Sequence, residues 1–211
     1  ILRSILREGV RSTNDIKDPN ERLAIETSHP QWLVDRWVES YGYEETAEML
    51  RENNIQPVQT VRVNTTKATV ENVLTTLERE GVKAVRSEVM PECVHLQTGQ
   101  AARTAAFRHG LITIQDESSM LPANVLNPQP GMKVLDMCAA PGGKTTHMAE
   151  KMQNEGSILA MDLHPKKLDL IEENTARLGL EIVQTAPVDG RKAASFLPKE
   201  SFDAVLVDAP C

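Results

Sequence analysis

The feature that most constrains how this chain can fold lies in its last third. From Gly131 onward, short apolar runs alternate with helix-patterned stretches: 133–137, 157–161, 182–185 and 204–207 read as strands, 144–152 and 165–178 as helices. Strands that are nearly continuous Val, Leu and Ile are buried on both faces, and helices between them supply the crossovers that parallel pairing requires. The pattern predicts a doubly wound α/β sheet. Ligands of such sheets bind beyond the carboxyl ends of the strands, where the strand order reverses.

Pro128 and Pro130-Gly131 mark a boundary ahead of this region. Before it, His29-Pro30 opens a helix with Trp32, Leu33, Trp37 and Val38 at helical spacing. Tryptophans spaced in this way read as core. Gly42 interrupts that helix and 44–53 gives a second. From Val58 the pattern turns to strands at 58–63, 82–85, 93–96 and 110–115. A helix capped by Thr69 carries Val70, Val73, Leu74 and Leu77, and another covers 117–126. This mixture predicts a small α+β domain around an antiparallel sheet over residues 28–127. Residues 1–27, with a short amphipathic stretch at Leu2, Ile5 and Leu6, read as the tail of a preceding domain and a linker. Residues 128–211 read as the first part of the α/β domain. A start at Ile1, and an end at Cys211 directly after a strand, suggest a piece of a longer chain.

Composition narrows the function classes. No apolar run is long enough for a membrane span and no secretory leader opens the chain, so no membrane role is expected. The three cysteines, Cys93, Cys138 and Cys211, are far apart, and none pairs as Cys-x-x-Cys. Neither a disulfide framework nor a metal site is expected, and a cytoplasmic protein fits. The net charge of −7 argues mildly against a nucleic-acid partner. Residues 58–115 nevertheless carry seven Lys/Arg against five acids, which a solvated mixed surface explains equally well.

The chemistry concentrates in the loop after the first parallel strand, Cys138-Ala139-Ala140-Pro141-Gly142-Gly143-Lys144. Small residues and glycines there let a ligand approach the backbone closely. Gly143-Lys144-Thr145 matches the end of a P-loop, but the first glycine of that motif would fall at Cys138. A dinucleotide fingerprint fits no better, because the two glycines are adjacent. S-Adenosylmethionine, which has no phosphates, asks only for close approach here and for carboxylates further on. They follow in order. Asp162 ends the second strand, nineteen residues after Gly143, where an acid takes ribose hydroxyls; Asp189 follows the third, placed for the adenine amino group; Asp208 ends the fourth. Singly each could be a cap or turn residue.

The runs Val134-Leu-Asp-Met-Cys-Ala-Ala-Pro-Gly-Gly-Lys-Thr145 and Asp203-Ala-Val-Leu-Val-Asp-Ala-Pro-Cys211 resemble the NOL1/NOP2/Sun family of RNA cytosine-5 methyltransferases, as does Gln115-Asp116-Glu117-Ser118-Ser119. The resemblance spans the whole chain. It implies a Rossmann-like methyltransferase sheet preceded by an α+β RNA-recognition-like domain, with 1–27 ending a NusB-like helical domain. It also implies S-adenosyl-L-methionine as cofactor, ribosomal RNA as partner and a monomer. The cofactor contacts it carries over are Cys138, Ala139, Ala140, Pro141, Gly142, Gly143, Lys144, Asp162, Asp189 and Asp208.

Carbon 5 of cytosine is a poor nucleophile, and a thiolate added at carbon 6 makes it reactive. In the family that the chain resembles, this thiolate comes from a later Thr-Cys motif. Cys211 is then expected to assist product release, and Asp208 to act near ring nitrogen 3 or on the exocyclic amine. A chain ending at Cys211 is expected not to methylate by itself. Cys93 reads as core, Cys138 as a small lining residue, and His147 and His164 as surface or helix residues without a ligand cluster. The opposing reading is a methyltransferase-like scaffold that docks RNA without catalysis.

Overall fold

The computed structural model describes residues 12–209, in two compact units, Ile1–Pro57 and Val58–Cys211. The amphipathic stretch expected at Leu2–Leu6 and the residues Pro210 and Cys211 lie outside the described residues.

In the first unit, α1 (Pro19–Thr27), α2 (Gln31–Tyr41) and α3 (Tyr43–Glu52) enclose Leu23, Ala24, Val34, Ala47 and Leu50. Asp18 caps α1 by accepting from the amides of Asn20 and Glu21, and Pro19 suits the first turn. The segment read as linker contains a helix that shares its core with α2 and α3. Trp37 packs on this core as expected, whereas Trp32 is 65% exposed. Five residues of helix rotate a side chain by about 140°, so the two rings cannot share one face.

The second unit opens with β1 (Gln59–Val63), α4 (Val70–Arg79), β2 (Ala84–Arg86), β3 (Cys93–Leu96), the single-turn α5 (Ala105–Arg108) and β4 (Ile112–Ile114). The strands form an antiparallel sheet in the order β2-β3-β1-β4, a βαββαβ ferredoxin-like arrangement. Thr69 caps α4 through the Asn72 amide, and Val70, Val73 and Leu77 pack on Val61, Val63, Val94, Leu96 and Ile112 from one face of the sheet. The stretch expected as one helix at 117–126 is a tight turn, Ser118–Met120, followed by α6 (Leu121–Leu126), which Pro122 opens.

Then β5 (Lys133–Asp136), α7 (Gly143–Lys151), β6 (Ser157–Asp162), α8 (Pro165–Leu178), β7 (Val183–Pro187) and β8 (Ala204–Leu206) build a parallel sheet ordered β7-β6-β5-β8. Strand order reverses between β5 and β8. A 3-10 turn, Gly190–Ser195, follows β7.

One buried cation ties the two sheets together. Arg62 points from β1 away from the α4 core and is fully buried. Its Nε and Nη2 donate to both carboxylate oxygens of Glu150 on α7 at 2.8 and 3.0 Å, Nη2 also to Thr146 at 3.0 Å, and Nη1 to the Gly143 carbonyl at 2.8 Å and to the Gln115 side chain. Burial pushes the Glu150 carboxyl upward, and the guanidinium opposes that. On the same face, Arg177 of α8 donates to the carbonyls of Phe107 and Ile112 and to Thr113, with its guanidinium 4.0 Å from the Phe107 ring. Gly110 sits at φ +68°, where any Cβ would run into the Arg177 carbonyl.

His147 is on α7 as expected but buried, 2% exposed, and its Nε2 lies 2.9 Å from Glu92. Burial pushes the imidazole down to about 4 despite the carboxylate. Burial alone would raise Glu92, but bonds from His147 and Asn124 bring it down to about 2.

Arg62→Met strands Glu150 as a buried unpaired charge and is expected to cost about 3–5 kcal/mol, read as a lowered urea midpoint. Adding Glu150→Leu should recover most of that loss. Because both His147 and Glu92 titrate lower in the fold than free, both contributions are lost as the pH falls. His147 acts from its ordinary 6.5 down to about 4, Glu92 from 4.5 down to about 2. The melting temperature should fall through the upper window, and His147→Gln should flatten it there and also narrow the lower window, because Glu92 loses the partner that holds it down.

Candidate functional site

The parallel sheet brings acids to one edge because each strand ends in, or just before, an aspartate. Asp136 ends β5, Asp162 ends β6, and Asp189 and Asp208 each stand two residues beyond β7 and β8. Between the first two runs the loop 138–142. The Ala139 amide donates to the Met161 carbonyl at 2.8 Å, the Ala140 amide to Asp162 at 3.3 Å and the Gly142 amide to the Ala139 carbonyl at 2.7 Å. Gly142 adopts φ +99° with the Ile171 backbone 3.3 Å from where a Cβ would sit. Only glycine meets both conditions.

Beside this loop is a cavity of about 230 Å³ lined by Ile114, Gln115, Asp116, Ser119, Asp136, Cys138–Pro141, Gly143, Lys144 and Asp208. Of the residues expected at the site, it gathers Cys138, Ala139, Ala140, Pro141, Gly143, Lys144 and Asp208. Lys144 and Asp208 are ion-paired to each other across the cavity wall, so the lysine does more than open the helix. Asp162 touches the loop from behind, also accepting from the His164 amide at 3.0 Å. Gly142, Asp162 and Asp189 are not among the lining residues. Asp189 caps its own turn and holds Arg191 through contacts of 2.7, 3.0 and 3.2 Å, which bring its carboxyl down to about 2. Arg191 is 86% exposed and free to swing away.

Asp136 had not been singled out. It is 1% exposed; Oδ2 accepts from Thr145 at 2.7 Å, while Oδ1 has no hydrogen-bond partner among the described residues. Burial pushes this carboxyl up to about 6, against the Thr145 hydroxyl. A buried carboxylate oxygen without a partner, on a residue that lines a cavity, is a place for a ligand donor. Its signal was legible: Asp136 ends its strand as Asp162 does. Cys138 lines the cavity, with its thiol raised by burial and then by Asp136. Cys93 is buried as read, and burial followed by Glu117 and Glu92 pushes its thiol up to about 12.

A βαββαβ module packed on a 3-2-1-4 parallel sheet, with a small-residue turn at the switch point and a carboxylate at each strand end, defines a Rossmann-like methyltransferase fold. Comparison with known proteins agrees. The 16S rRNA methyltransferase RsmB/F family model matches residues 123–211, and the RsmF/B-like ferredoxin-like domain matches residues 29–103. The probable ribosomal RNA small subunit methyltransferase B of Bacillus subtilis is 47% identical over 211 residues, covering 100% of this chain and 47% of that protein. Among solved structures, PH0851 superposes with a TM-score of 0.87 at 38% identity, covering 96% of this chain and 46% of that one. A methyltransferase homolog protein from Pyrococcus horikoshii gives 0.81 at 31% identity, covering 92% and 64%. The chain belongs to the RsmB/F family. It spans about half the length of the curated relatives it matches.

A carboxyl raised in the fold contributes most below its ordinary 3.8 and loses that contribution as the pH rises through about 6. Asp136→Asn is therefore expected to gain stability over the parent between pH 4 and 7, by on the order of 2–3 kcal/mol. Paired melts across that range read the difference.

Proposed function

We propose that this chain is the cofactor-binding part of an enzyme that methylates carbon 5 of a cytosine in small-subunit ribosomal RNA, with S-adenosylmethionine as donor. The observation that carries the reading is the open Asp136 oxygen on a cavity walled by the small-residue turn and flanked by strand-end carboxylates. A sulfonium amino acid suits such a wall: its ammonium group is a donor for Asp136, and its positive sulfur is drawn to carboxylates. The relatives' printed names support ribosomal RNA as substrate.

When bound, the cofactor supplies an electrophilic methyl group. The chain's own residues bind and orient. Asp136 takes the ammonium, backbone groups of 138–143 line the amino-acid end, and Asp162 is one residue layer away for the ribose. Asp189 reaches the adenine amine once Arg191 releases it. Lys144 donates to Asp208, so this carboxylate is engaged as an acceptor. That favours the role in which it receives the exocyclic amine of a target cytosine that has left its stack. Cys211 keeps the assisting role that the family resemblance implies.

Calorimetry with S-adenosylhomocysteine on the full-length protein tests the reading. Asp162→Ala should weaken binding by about 1–3 kcal/mol through lost hydrogen bonds to a charged group. Unchanged affinity removes Asp162 from the site. No binding at millimolar ligand to a folded sample favours the scaffold reading.

A further inference from the structure

Apart from the cavity, three side chains of metal-ligating type converge. Cys93 and His95 are two residues apart on β3 and so project from the same face of the sheet. Glu117 approaches from the segment after β4. One donor atom from each, the Cys93 sulfur, a His95 ring nitrogen and a Glu117 carboxylate oxygen, all lie within 4.8 Å of one another. The His95 Nε2 is 3.4 Å from Glu117 Oε2. Thiolate, imidazole and carboxylate on one tetrahedral zinc stand about 3.4–3.6 Å apart, so the cluster needs to tighten by up to about 1.4 Å.

The surroundings permit that movement. His95 and Glu117 are 26% and 24% exposed and can turn, whereas Cys93 is a fixed, buried anchor. Ser87 donates to Glu117 and itself accepts from the amides of Val89 and Met90 at 2.9 and 3.1 Å, holding the carboxylate in a set orientation. The turn is closed by the Ser87 amide on the Cys93 carbonyl at 3.0 Å and the Cys93 amide on the Met90 carbonyl at 3.1 Å. Hydrogen-bonded ligands backed in this way are what a metal site requires around its donors. Sulfur and imidazole together select against magnesium and calcium and in favour of zinc.

We propose that Cys93, His95 and Glu117 bind one zinc-class divalent cation, with water as the fourth donor, and so clamp β3 to the 115–119 segment that lines the cavity. The sulfur–metal bond forms as the thiol proton leaves to solvent, with no change of oxidation state. The site runs against the sequence expectation of no metal, since a Cys-x-His pair with a distant glutamate has no recognisable spacing. It does not depend on methyl transfer.

The test is titration of the chelator-stripped full-length protein with Zn²⁺ against a chromophoric chelator, and with Co²⁺ as a spectroscopic probe. One equivalent should bind, Co²⁺ should show a thiolate charge-transfer band, and Mg²⁺ should not compete. Cys93→Ser should abolish the band. His95→Asn and Glu117→Gln each remove a ligand and should weaken Zn²⁺ binding by more than the roughly 10–100-fold that loss of a supporting partner costs, with unchanged circular dichroism. The buried Cys93 can affect folding, so the partly exposed His95 decides. Unchanged affinity in folded His95→Asn, the absence of a thiolate band, or no bound equivalent each overturns the proposal.

Discussion

The guanidinium of Arg62 is the contact on which the second unit depends. A charge with no exposed surface persists only when every donor is matched, and here a carboxylate, a hydroxyl, a side-chain amide and the first carbonyl of α7 match it. The Gly143 carbonyl is part of the turn that shapes the cavity, so the antiparallel sheet holds the loop of the parallel one. Two layers that could have been independent are locked at the point where the cavity wall begins. Arg177 repeats the device from α8, with Gly110 leaving the space that the close approach needs.

The cavity wall carries the opposite sign of the same physics. Asp136 is buried with one oxygen unmatched, which a fold optimised for stability alone would avoid. Local rules are broken most often where a ligand is to complete them. The neighbouring Lys144–Asp208 pair and the Asp189–Arg191 pair are both at least partly solvent-facing, and each can open without stranding a buried charge.

Much of this was legible in the chain. The parallel strands and their helices stand within a residue or two of where periodicity placed them, because buried strands and amphipathic helices leave unambiguous patterns. The strand-end acids followed from the same reading. Long-range pairing was not legible: nothing near Arg62 in sequence announces Glu150, and nothing near His147 announces Glu92. The mixed charges of 58–115, read as a solvated surface, include one fully buried cation. Trp32 shows the reverse: its spacing is roughly helical, but it lies about 140° round the helix from Trp37 and faces outward. Asp136 stands at a strand end like Asp162, but its burial comes from packing that the sequence does not display.

The orientation of β1 decides which surfaces of the antiparallel module stay free. In a four-stranded module of this topology, the face opposite the helices is the platform on which unpaired bases ordinarily stack, through aromatic side chains. Here that face carries Arg62, Cys93 and Thr113 in register, and α7 and α8 engage its middle. The platform has become an internal wall. That face is closed by α7 and α8, and only the rims and loops of the module keep free surface there.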